Sequence, residues 1–487
     1  MNLLNALLIF CLALCFCFGA TTLNAQVVNI PDVNFKTYLV GNTAINTNGD
    51  AEIQVSEALA FSGAINCVNQ NIASLTGIEA FVNLTVLSCH YNQLSSLDVT
   101  QNASLIELNC SANSLSSLDV SQNTSLRVLH CLRNQLSSLD LSQNTDLIEL
   151  HCYINELSSL DVSQNTSLTE LHCFRNQLSS LDVSQNTSLT ELYCYYNQLS
   201  SLNLGQNTSL KTLSCYYNPL SSLNVSQNAG LEYLDCNYNP LSSLNVSQNM
   251  SLTSLSCISN QLSSLDLSQN TSLTNLYCSF NQLSSLDVTQ NTSLEILGCS
   301  SNQISNLDLS QNTSLEYLDC TSNQLSSLDL SQNTSLTDLY CISNQLSSLD
   351  LKNGNNGSIS IFNATNNPSL SCIQVDNATY SATNWTFIDA SASFSTNCNL
   401  SSNTSVISQE INLIAYPNPT TKAITLDFGK IYEEATIKVT NLRGQVVLDK
   451  TMHNNFRTTL DLEGAAGVYF INIQSEEGTA VLKIIKE

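Results

Sequence analysis

Hydrophobic and polar positions follow a fixed rhythm through the middle of the chain. One unit, residues 168–188, reads L-x-x-L-x-C-x-x-N-x-L-S-S-L-D-V-S-Q-N-T-S. Its two halves echo each other, because each places apolar residues at alternate positions and then an asparagine. Alternation with a period of two predicts a strand whose apolar side chains face a core. Each half therefore predicts one short strand, followed by a turn at Asn176 or at Asn186.

The unit recurs every 21 residues without a slip. An asparagine follows each repeated cysteine three residues later, from Asn92 to Asn344. The cysteines are at positions 89, 110, 131, 152, 173, 194, 215, 236, 257, 278, 299, 320 and 341. So strict a period is typical of a solenoid, in which every turn meets the same environment. We predict a mainly β protein in which residues 65–352 form about 14 rungs with a parallel β ladder.

Two columns of polar side chains, equivalent positions in successive rungs, need hydrogen-bond or ionic partners inside such a ladder. The asparagine side chains can bond the turn backbone of adjacent rungs. The second column has Asp at positions 98, 119, 140, 161, 182, 266, 287, 308, 329 and 350, and Asn at 203, 224 and 245. Closely spaced carboxylates repel, so each needs either local hydrogen bonds or cations between the rungs. The three Asn substitutions favour hydrogen bonds.

This unit resembles the leucine-rich repeat, in particular its short bacterial class L-x-x-L-x-[LC]-x-x-N-x-L-x-x-L-D-L-x-x-N. The stretch L-T-G-I-E-A-F at 75–81 resembles a first rung of the internalin type. The resemblance covers about residues 65–352 and implies a curved parallel solenoid. It also implies a strand face that binds ligands, usually proteins, and repeats that are rarely catalytic.

The net charge and the hydropathy of the chain indicate which classes of binding partner and which location to expect. The net charge is −25 with only 14 Lys and Arg, which argues against nucleic acid and against an anionic membrane surface. The apolar run from Leu3 to about Ala20 predicts a secretory signal peptide in residues 1–25, although no Lys or Arg precedes it. No other segment has the length of a transmembrane span.

The cysteines separate into two kinds. Rungs of a parallel ladder lie about 4.8 Å apart, farther than the Cβ atoms of a disulfide. Each ladder cysteine also occupies an apolar position, so we expect buried free thiols. Cys372 and Cys398 lie outside the ladder and are the disulfide candidates.

Variation between rungs indicates where a ligand would bind. The second half of the unit is nearly constant, whereas the positions around the cysteine vary. The candidate ligand-binding residues are His130, His151, Tyr153, His172, Phe174, Arg175, Tyr193, Tyr195, Tyr196, Tyr216, Tyr217 and Tyr238. Tyr, Phe and Arg are enriched in recognition surfaces, and tyrosine rings also stack on sugars. Alternatively, neighbouring rungs share these residues because they were duplicated.

The three stacked histidines, with Glu149 and Glu170 nearby, raise the question of a metal. A rung spacing of about 4.8 Å does not converge three imidazoles on one ion at about 2.1 Å. We therefore expect a solvated histidine ladder that resists protonation through like-charge repulsion.

Residues 26–64 are expected to cap the first rung. Within them, Asn46, Asn48, Asp50, Glu52 and Glu57 stand at the ligand positions of an EF-hand-like loop. Two departures matter: position one is Asn rather than Asp, and Ala51 occupies the place of the usual glycine. We expect no cofactor apart from possible calcium at this loop, and a plain polar turn before a helix is the alternative.

The 21-residue rhythm stops at Leu351. Residues 353–398 are expected to cap the solenoid, and 399–411 to form a polar linker. Residues 412–487 resemble the type A C-terminal sorting domain of the type IX secretion system, through A-Y-P-N-P-T at 415–420, N-L-R-G-Q-V-V at 441–447 and G-V-Y-F-I-N-I at 467–473. This resemblance implies a small antiparallel β-sandwich and export across the outer membrane of a Gram-negative cell.

Together these features predict a secreted or surface-attached, non-enzymatic protein. It would bind a protein or a glycan in adhesion or recognition. The alternative is a structural scaffold of the cell surface without a ligand. The abundant Ser, Asp and His form repeat columns, and none stands in a nucleophile motif.

Overall fold

The computed structural model describes residues 26–398, 414–475 and 478–486. The predicted signal peptide, 1–25, and linker, 399–411, lie outside these residues. The described chain forms two compact units. The first contains the described residues as far as Leu370 together with Trp385–Ser391, and the second contains Ser371–Asn384 and the described residues from Ala392 onward.

Two short helices form the N-terminal cap. Helix α1 spans Val33–Val40, and the Asp32 side chain accepts hydrogen bonds from the first turn, as N-capping residues do. Helix α2 spans Val55–Ala60 and begins with a capping box between Gln54 and Glu57. Phe35, Leu39 and Ile53 are fully buried, so the cap has an apolar core of its own.

The repeats form one parallel sheet in which each strand pairs with the equivalent residues of the next rung. Its 15 described strands are β1 Ala64–Asn66, β2 Val86–Ser88, β3 Glu107–Asn109, β4 Val128–His130, β5 Glu149–His151, β6 Glu170–His172, β7 Glu191–Tyr193, β8 Thr212–Ser214, β9 Tyr233–Asp235, β10 Ser254–Ser256, β11 Asn275–Tyr277, β12 Ile296–Gly298, β13 Tyr317–Asp319, β15 Asp338–Tyr340 and β17 Ile361–Asn363. The predicted parallel solenoid is confirmed. It continues one strand beyond residue 352, because β17 lies within the stretch expected to be the cap.

The second half of the unit is less regular than predicted. Within the described rungs it forms paired strands only at β14, Ser327–Asp329, and β16, Ser348–Asp350. Elsewhere it makes at most an isolated bridge, such as Asp98 to Asp119. The aspartates of the acidic column make the same local bond in both cases. The Oδ1 atom of Asp182 accepts the N–H of Ser184 at 2.9 Å in an irregular rung, and Asp329 accepts from Ser331 in β14. This bond therefore does not decide where paired strands form.

This bond gives each side chain of the acidic column a hydrogen-bond partner. The Oδ1 atoms of all ten aspartates accept the N–H of the residue two positions later, and Asn203, Asn224 and Asn245 do the same. The prediction of local hydrogen bonds is therefore confirmed, and it explains why Asn can replace Asp.

Leucine and cysteine fill the interior. The central leucine of every strand from β2 to β13 and all 13 ladder cysteines have no exposed surface. The ladder cysteines are free thiols, as expected. Burial raises the pKa of thiols such as Cys110 to about 12, so they stay protonated and act as small apolar side chains.

Asparagine amides tie each rung to the next. In rung β7, Asn197 donates from Nδ2 to the carbonyls of Cys194 at 3.0 Å and Cys173 at 3.1 Å. Its Oδ1 accepts the N–H of Leu178 at 3.0 Å. The second column, exemplified by Asn186, donates to Val162 and Asn165 in neighbouring rungs, but its Oδ1 has no hydrogen-bond partner.

The last rung keeps this bonding without a cysteine. Asn367 donates to the carbonyls of Ala364 and Cys341, and accepts from Leu346. Trp385 stacks on Phe362 with ring centroids 4.6 Å apart and closes the apolar interior of the first unit.

The second unit begins with a small element. Strand β18, Cys372–Gln374, pairs in parallel with β19, Ser393–Ser395, and helix α3, Ala378–Asn384, lies between them in sequence. The two disulfide candidates, Cys372 and Cys398, are joined, with Cα atoms 5.7 Å apart.

The tail is an antiparallel sheet. Its strands are β20 Ile414–Tyr416, β21 Ala423–Asn441, β22 Val446–Asp461, β23 Gly467–Ser475 and β24 Gly478–Lys486. They form one sheet rather than two separately bonded ones. The pairing of β21 with β22 shifts register between Asp427 and Tyr432, and residues from both ends of β21 share one core. The predicted sandwich is thus a single sheet that folds over its own core.

None of the helices in the described ranges is long and apolar enough for a membrane crossing.

The asparagine bonding gives a direct stability prediction. Asn197→Ala leaves the N–H of Leu178 buried without its partner, at about 1–3 kcal/mol. It also removes one of the two asparagine donors from each of the carbonyls of Cys194 and Cys173. We expect a lower midpoint in urea unfolding followed by circular dichroism. The neighbouring exposed Gln198→Ala is the control and should unfold like the parent. Equal midpoints for the two variants would show that the amide does not hold the rungs together.

Candidate ligand-binding face

Each strand presents two side chains on the outer side of the sheet. In strands β4–β7 the first and third residues are half-buried and the central leucine is buried, as in Glu149, Leu150 and His151. The residue after the cysteine is also half-buried, and the next one is exposed in several rungs. Because the rungs are in register, equivalent side chains of successive rungs stand directly beside one another.

Histidine and glutamate alternate on this face in a cluster that we call the His–Glu ladder, comprising His130, Glu149, His151, Glu170 and His172. The imidazole rings are stacked, with centroids 4.3 Å apart between His130 and His151 and 4.1 Å between His151 and His172. The glutamates bridge them. Glu149 Oε1 lies 2.7 Å from His130 Nε2 and 3.4 Å from His151 Nε2, and Glu170 Oε1 lies 2.8 Å from His151 Nε2 and 3.1 Å from His172 Nε2.

The ladder ends on a neutral imidazole. Burial, together with the charge of the adjacent His151, lowers the pKa of His172 to about 4, although the glutamates oppose the change. Next to it, burial and the charge of Glu170 raise the pKa of Glu191. Tyr193 closes the ladder edge-on, with its centroid 4.5 Å from that of His172. Repulsion between the stacked imidazoles was expected to resist protonation, and at His172 burial lowers the pKa more than this repulsion does.

Beside the ladder runs an inner stack, formed by Tyr153, Phe174, Tyr195 and Tyr216, each directly after its cysteine. Successive centroids are 4.0, 4.2 and 4.2 Å apart and the rings are nearly parallel. Each interior ring therefore has both faces covered by its neighbours. Only the ring edges and the hydroxyl groups remain for a ligand.

An outer stack, formed by Tyr196, Tyr217 and Tyr238, lies one residue further on. Its centroids are 4.5 and 4.2 Å apart, and the Arg175 guanidinium lies 5.1 Å from the centroid of Tyr196. These three rings are 38–45% exposed. The outer stack is therefore the part of the aromatic patch that a partner reaches first.

The backbone of the outer column is left-handed. The residue two positions after the cysteine has φ between 51° and 57° in every rung with a ladder cysteine, from Tyr91 to Ser343. For a residue other than glycine this conformation costs roughly 1–2 kcal/mol. Ala112 and several serines adopt it as well, so it belongs to the turn rather than to ligand binding.

The structure thus brings the candidate residues together on one face. The bridging by Glu149 and Glu170 was missed, although the repeated E-L-H triplet at 149–151 and 170–172 signals it. Asp235 was also missed as a titrating group. It lies in the histidine column two rungs after Tyr193, and burial raises its pKa to about 6.

In the N-terminal cap, the candidate calcium loop is closed by its own hydrogen bonds. Glu57 Oε1 accepts from the N–H groups of Thr47 and Asn48, and Oε2 accepts from Gln54. Glu52 instead pairs with Lys36 at 2.6 Å. The amides of Asn46 and Asn48 bond within the loop, and Asp50 accepts from the Glu52 N–H. The carboxylates of Asp50, Glu52 and Glu57 do not converge, and calcium binding here stays a prediction.

The loop gives a second test. Burial raises the pKa of Glu57, but hydrogen bonds from Gln54, Asn48 and Thr47 outweigh it, so the net pKa lies below its ordinary value of 4.5. The stabilisation is therefore present at neutral pH and is lost as the pH falls through the lowered pKa. Without calcium, Glu57→Ala should reduce stability by about 1 kcal/mol or more through loss of the cap.

The matched control is Glu52→Gln, whose exposed ion pair should contribute little. Melting temperatures with and without added calcium decide between the two explanations. If hydrogen bonds alone close the loop, calcium leaves the parent unchanged and Glu57→Ala lowers both values equally. A calcium-dependent rise that Glu57→Ala abolishes would instead identify an ion site.

Comparisons with known proteins agree with this architecture. The family described as "Secretion system C-terminal sorting domain" matches residues 414–487. Internalin J of Listeria monocytogenes serotype 4b (strain F2365) is 46% identical over 46 residues, which cover 9% of this chain and 5% of that protein.

Solved structures extend the similarity across the chain. The functional domain of InlJ from Listeria monocytogenes, which includes a cysteine ladder, has a TM-score of 0.64 at 28% identity, with 95% of this chain and 98% of that chain covered. The internalin InlF from Listeria monocytogenes str. 4b F2365 has a TM-score of 0.54 at 22% identity, covering 74% and 99%. The chain therefore joins an internalin-like leucine-rich-repeat solenoid to a type IX secretion C-terminal sorting domain.

Proposed function

We propose that the protein binds a protein ligand outside the cell through the face of strands β4–β9. The sorting domain indicates a secreted or cell-surface protein. One observation carries the proposal: an exposed row of aromatic rings beside Arg175 is confined to a few consecutive rungs of an otherwise repetitive surface. Aromatic residues and arginine dominate the energetics of protein interfaces.

The later rungs do not have consecutive tyrosines at the outer-stack position. At the outer-stack position they carry Ser259, Phe280, Ser301, Ser322 and Ser343, which share the same left-handed backbone. The turn therefore tolerates a small polar side chain. Three consecutive tyrosines are not required by the fold, and we attribute them to recognition.

The stacking favours a protein over a glycan. A sugar ring binds to an aromatic ring by lying on its face, but the interior faces of both stacks are covered by neighbours 4.0–4.5 Å away. What the patch offers is a ridge of ring edges, hydroxyls and a guanidinium. Such groups suit the mixed polar and apolar surface of a folded protein or peptide.

A structural scaffold is the second candidate, and the inner stack favours it. Tyr153, Phe174, Tyr195 and Tyr216 are half-buried and pack mainly on one another. Such rings contribute to stability with or without a partner, because aromatic pairs add about 0.5–1.5 kcal/mol beyond burial. The test of function must therefore use the exposed outer stack.

The outer-stack variant combines Tyr196→Ser, Tyr217→Ser and Tyr238→Ser. Phe280→Ser, at the same exposed position of a later rung, is the matched control. We expect the purified chain to bind surface proteins of target cells in a protease-sensitive manner, and the triple variant to bind at least about tenfold more weakly. The control should bind like the parent.

Three results are informative. Binding that survives protease but is lost after glycosidase treatment would favour a glycan ligand. Equal binding by the triple variant and the parent would place the ligand elsewhere. No binding by the parent to any protein or glycan tested would favour the scaffold.

The tail gives a separate prediction about export. Deleting residues 414–487 should leave the protein in the periplasm of a Gram-negative host that has type IX secretion. Fusing these residues to an exported reporter should bring the reporter to the medium or to the outer-membrane surface. Cell fractionation distinguishes release from attachment, and surface delivery of the truncated chain would contradict this role.

A further inference from the structure

The His–Glu ladder has an arrangement that the aromatic patch does not explain. Two sets of donor atoms converge: His130, Glu149 and His151, and then His151, Glu170 and His172. Within each set, one imidazole nitrogen from each histidine and one carboxylate oxygen lie within 4.8 Å of one another. Among the described residues, only these sets bring three such groups together.

We propose that the ladder binds one transition-metal ion, through the Nε2 atoms of two adjacent histidines and the carboxylate between them. The three-imidazole site considered from the sequence does not form. The structure instead places a carboxylate between each pair of rings. A third imidazole would lie too far from an ion bound by the first two, but this carboxylate lies close enough to bind it. This inference does not rest on the proposed function.

The distances from the carboxylate oxygen to the imidazole nitrogens are close to those that a metal requires. Donors bound at about 2.1 Å in a tetrahedral site stand about 3.4 Å apart. Glu149 Oε1 is already 3.4 Å from His151 Nε2, and Glu170 Oε1 is 3.1 Å from His172 Nε2. The other contact in each set, 2.7 Å in one and 2.8 Å in the other, is a hydrogen bond. An ion would replace that shared hydrogen once the two stacked rings, whose planes are 5° apart, turn so that both Nε2 lone pairs point at it.

The His172 imidazole supplies a second observation. Its Nε2 atom is buried and makes no hydrogen bond, although Glu170 lies nearby. The same glutamate oxygen is engaged by His151. A buried polar atom without a partner is costly and calls for an explanation, and a nitrogen lone pair directed at an ion provides one.

The donor set indicates the class of metal. Imidazole nitrogen suits Zn²⁺, Cu²⁺ and Ni²⁺, whereas Ca²⁺ and Mg²⁺ prefer oxygen donors alone. The histidine and glutamate side chains are 15–30% exposed, so a coordination position stays open to solvent. Because His151 Nε2 belongs to both sets, binding at one excludes the other, and the expected stoichiometry is one ion per chain.

The test uses isothermal titration of the full chain with Zn²⁺ or Ni²⁺. We expect one site, which His151→Gln removes from both sets at once. Loss of an outer partner of a metal ligand already costs about 10–100-fold in affinity, so loss of this shared ligand should weaken binding by at least about 100-fold. His130→Gln should retain a site, because His151, Glu170 and His172 remain together.

His90→Gln is the matched control, since His90 is outside both sets. Circular dichroism checks that each variant is folded, and the double variant Glu149→Gln with Glu170→Gln offers a second route to the same loss. Co²⁺ absorption distinguishes the ladder from the cysteines, because thiolate ligation adds a charge-transfer band in the near ultraviolet. Unchanged binding by His151→Gln, a thiolate band, or no binding by the parent would each overturn the proposal.

Discussion

The register between rungs is the constraint on which the rest of the structure depends. Each first-column asparagine bonds the backbone of its own rung and of the rung before it, as Asn197 does with Cys194, Cys173 and Leu178. A change in rung length would break these bonds and misplace the leucines of the shared core. The 21-residue period therefore persists through every cysteine-bearing rung, and most positions of the unit are not free to vary.

What remains free is a narrow set of columns beside the cysteine. Side chains in these columns stand at the rung spacing, so identical residues in successive rungs stack. The aromatic stacks and the His–Glu ladder share this origin, with ring centroids 4.0–4.5 Å apart in each. In a solenoid, the same substitution in a few successive rungs therefore produces a continuous row of stacked side chains on the surface. The same geometry covers the ring faces and leaves their edges to a partner.

The sequence was most informative at positions where every rung has the same structural requirement. The inward leucines and cysteines, the asparagine bonds and the substitution of Asn for Asp at position 203 all followed from periodicity and hydrogen-bond chemistry. The second predicted strand forms a paired strand in only two of the described rungs, although Asp182 in an irregular rung and Asp329 in β14 make the same local hydrogen bond. Strand β17 was placed in the cap, because its rung lacks the cysteine that marked the others.

The candidate site was predictable in position but not in detail. Column membership placed His151 and Tyr195 on one face. It did not reveal that Glu149 and Glu170 would bridge the histidines, which depends on side-chain rotamers across two rungs. Nor did it reveal the left-handed backbone at Tyr196, because Asn and Gly are the usual signals for that conformation and neither is present.

The central claim is that a constant scaffold carries a separable recognition face on six consecutive rungs. The most direct measurement replaces residues 126–251 with six copies of residues 294–314, which keep the cysteine, the asparagines and an apolar residue at each leucine position but lack the aromatic and histidine columns. Ligand binding and urea unfolding are then compared with the parent. The account predicts an equally cooperative solenoid that no longer binds. Retained binding, or failure of the chimera to fold, would contradict it.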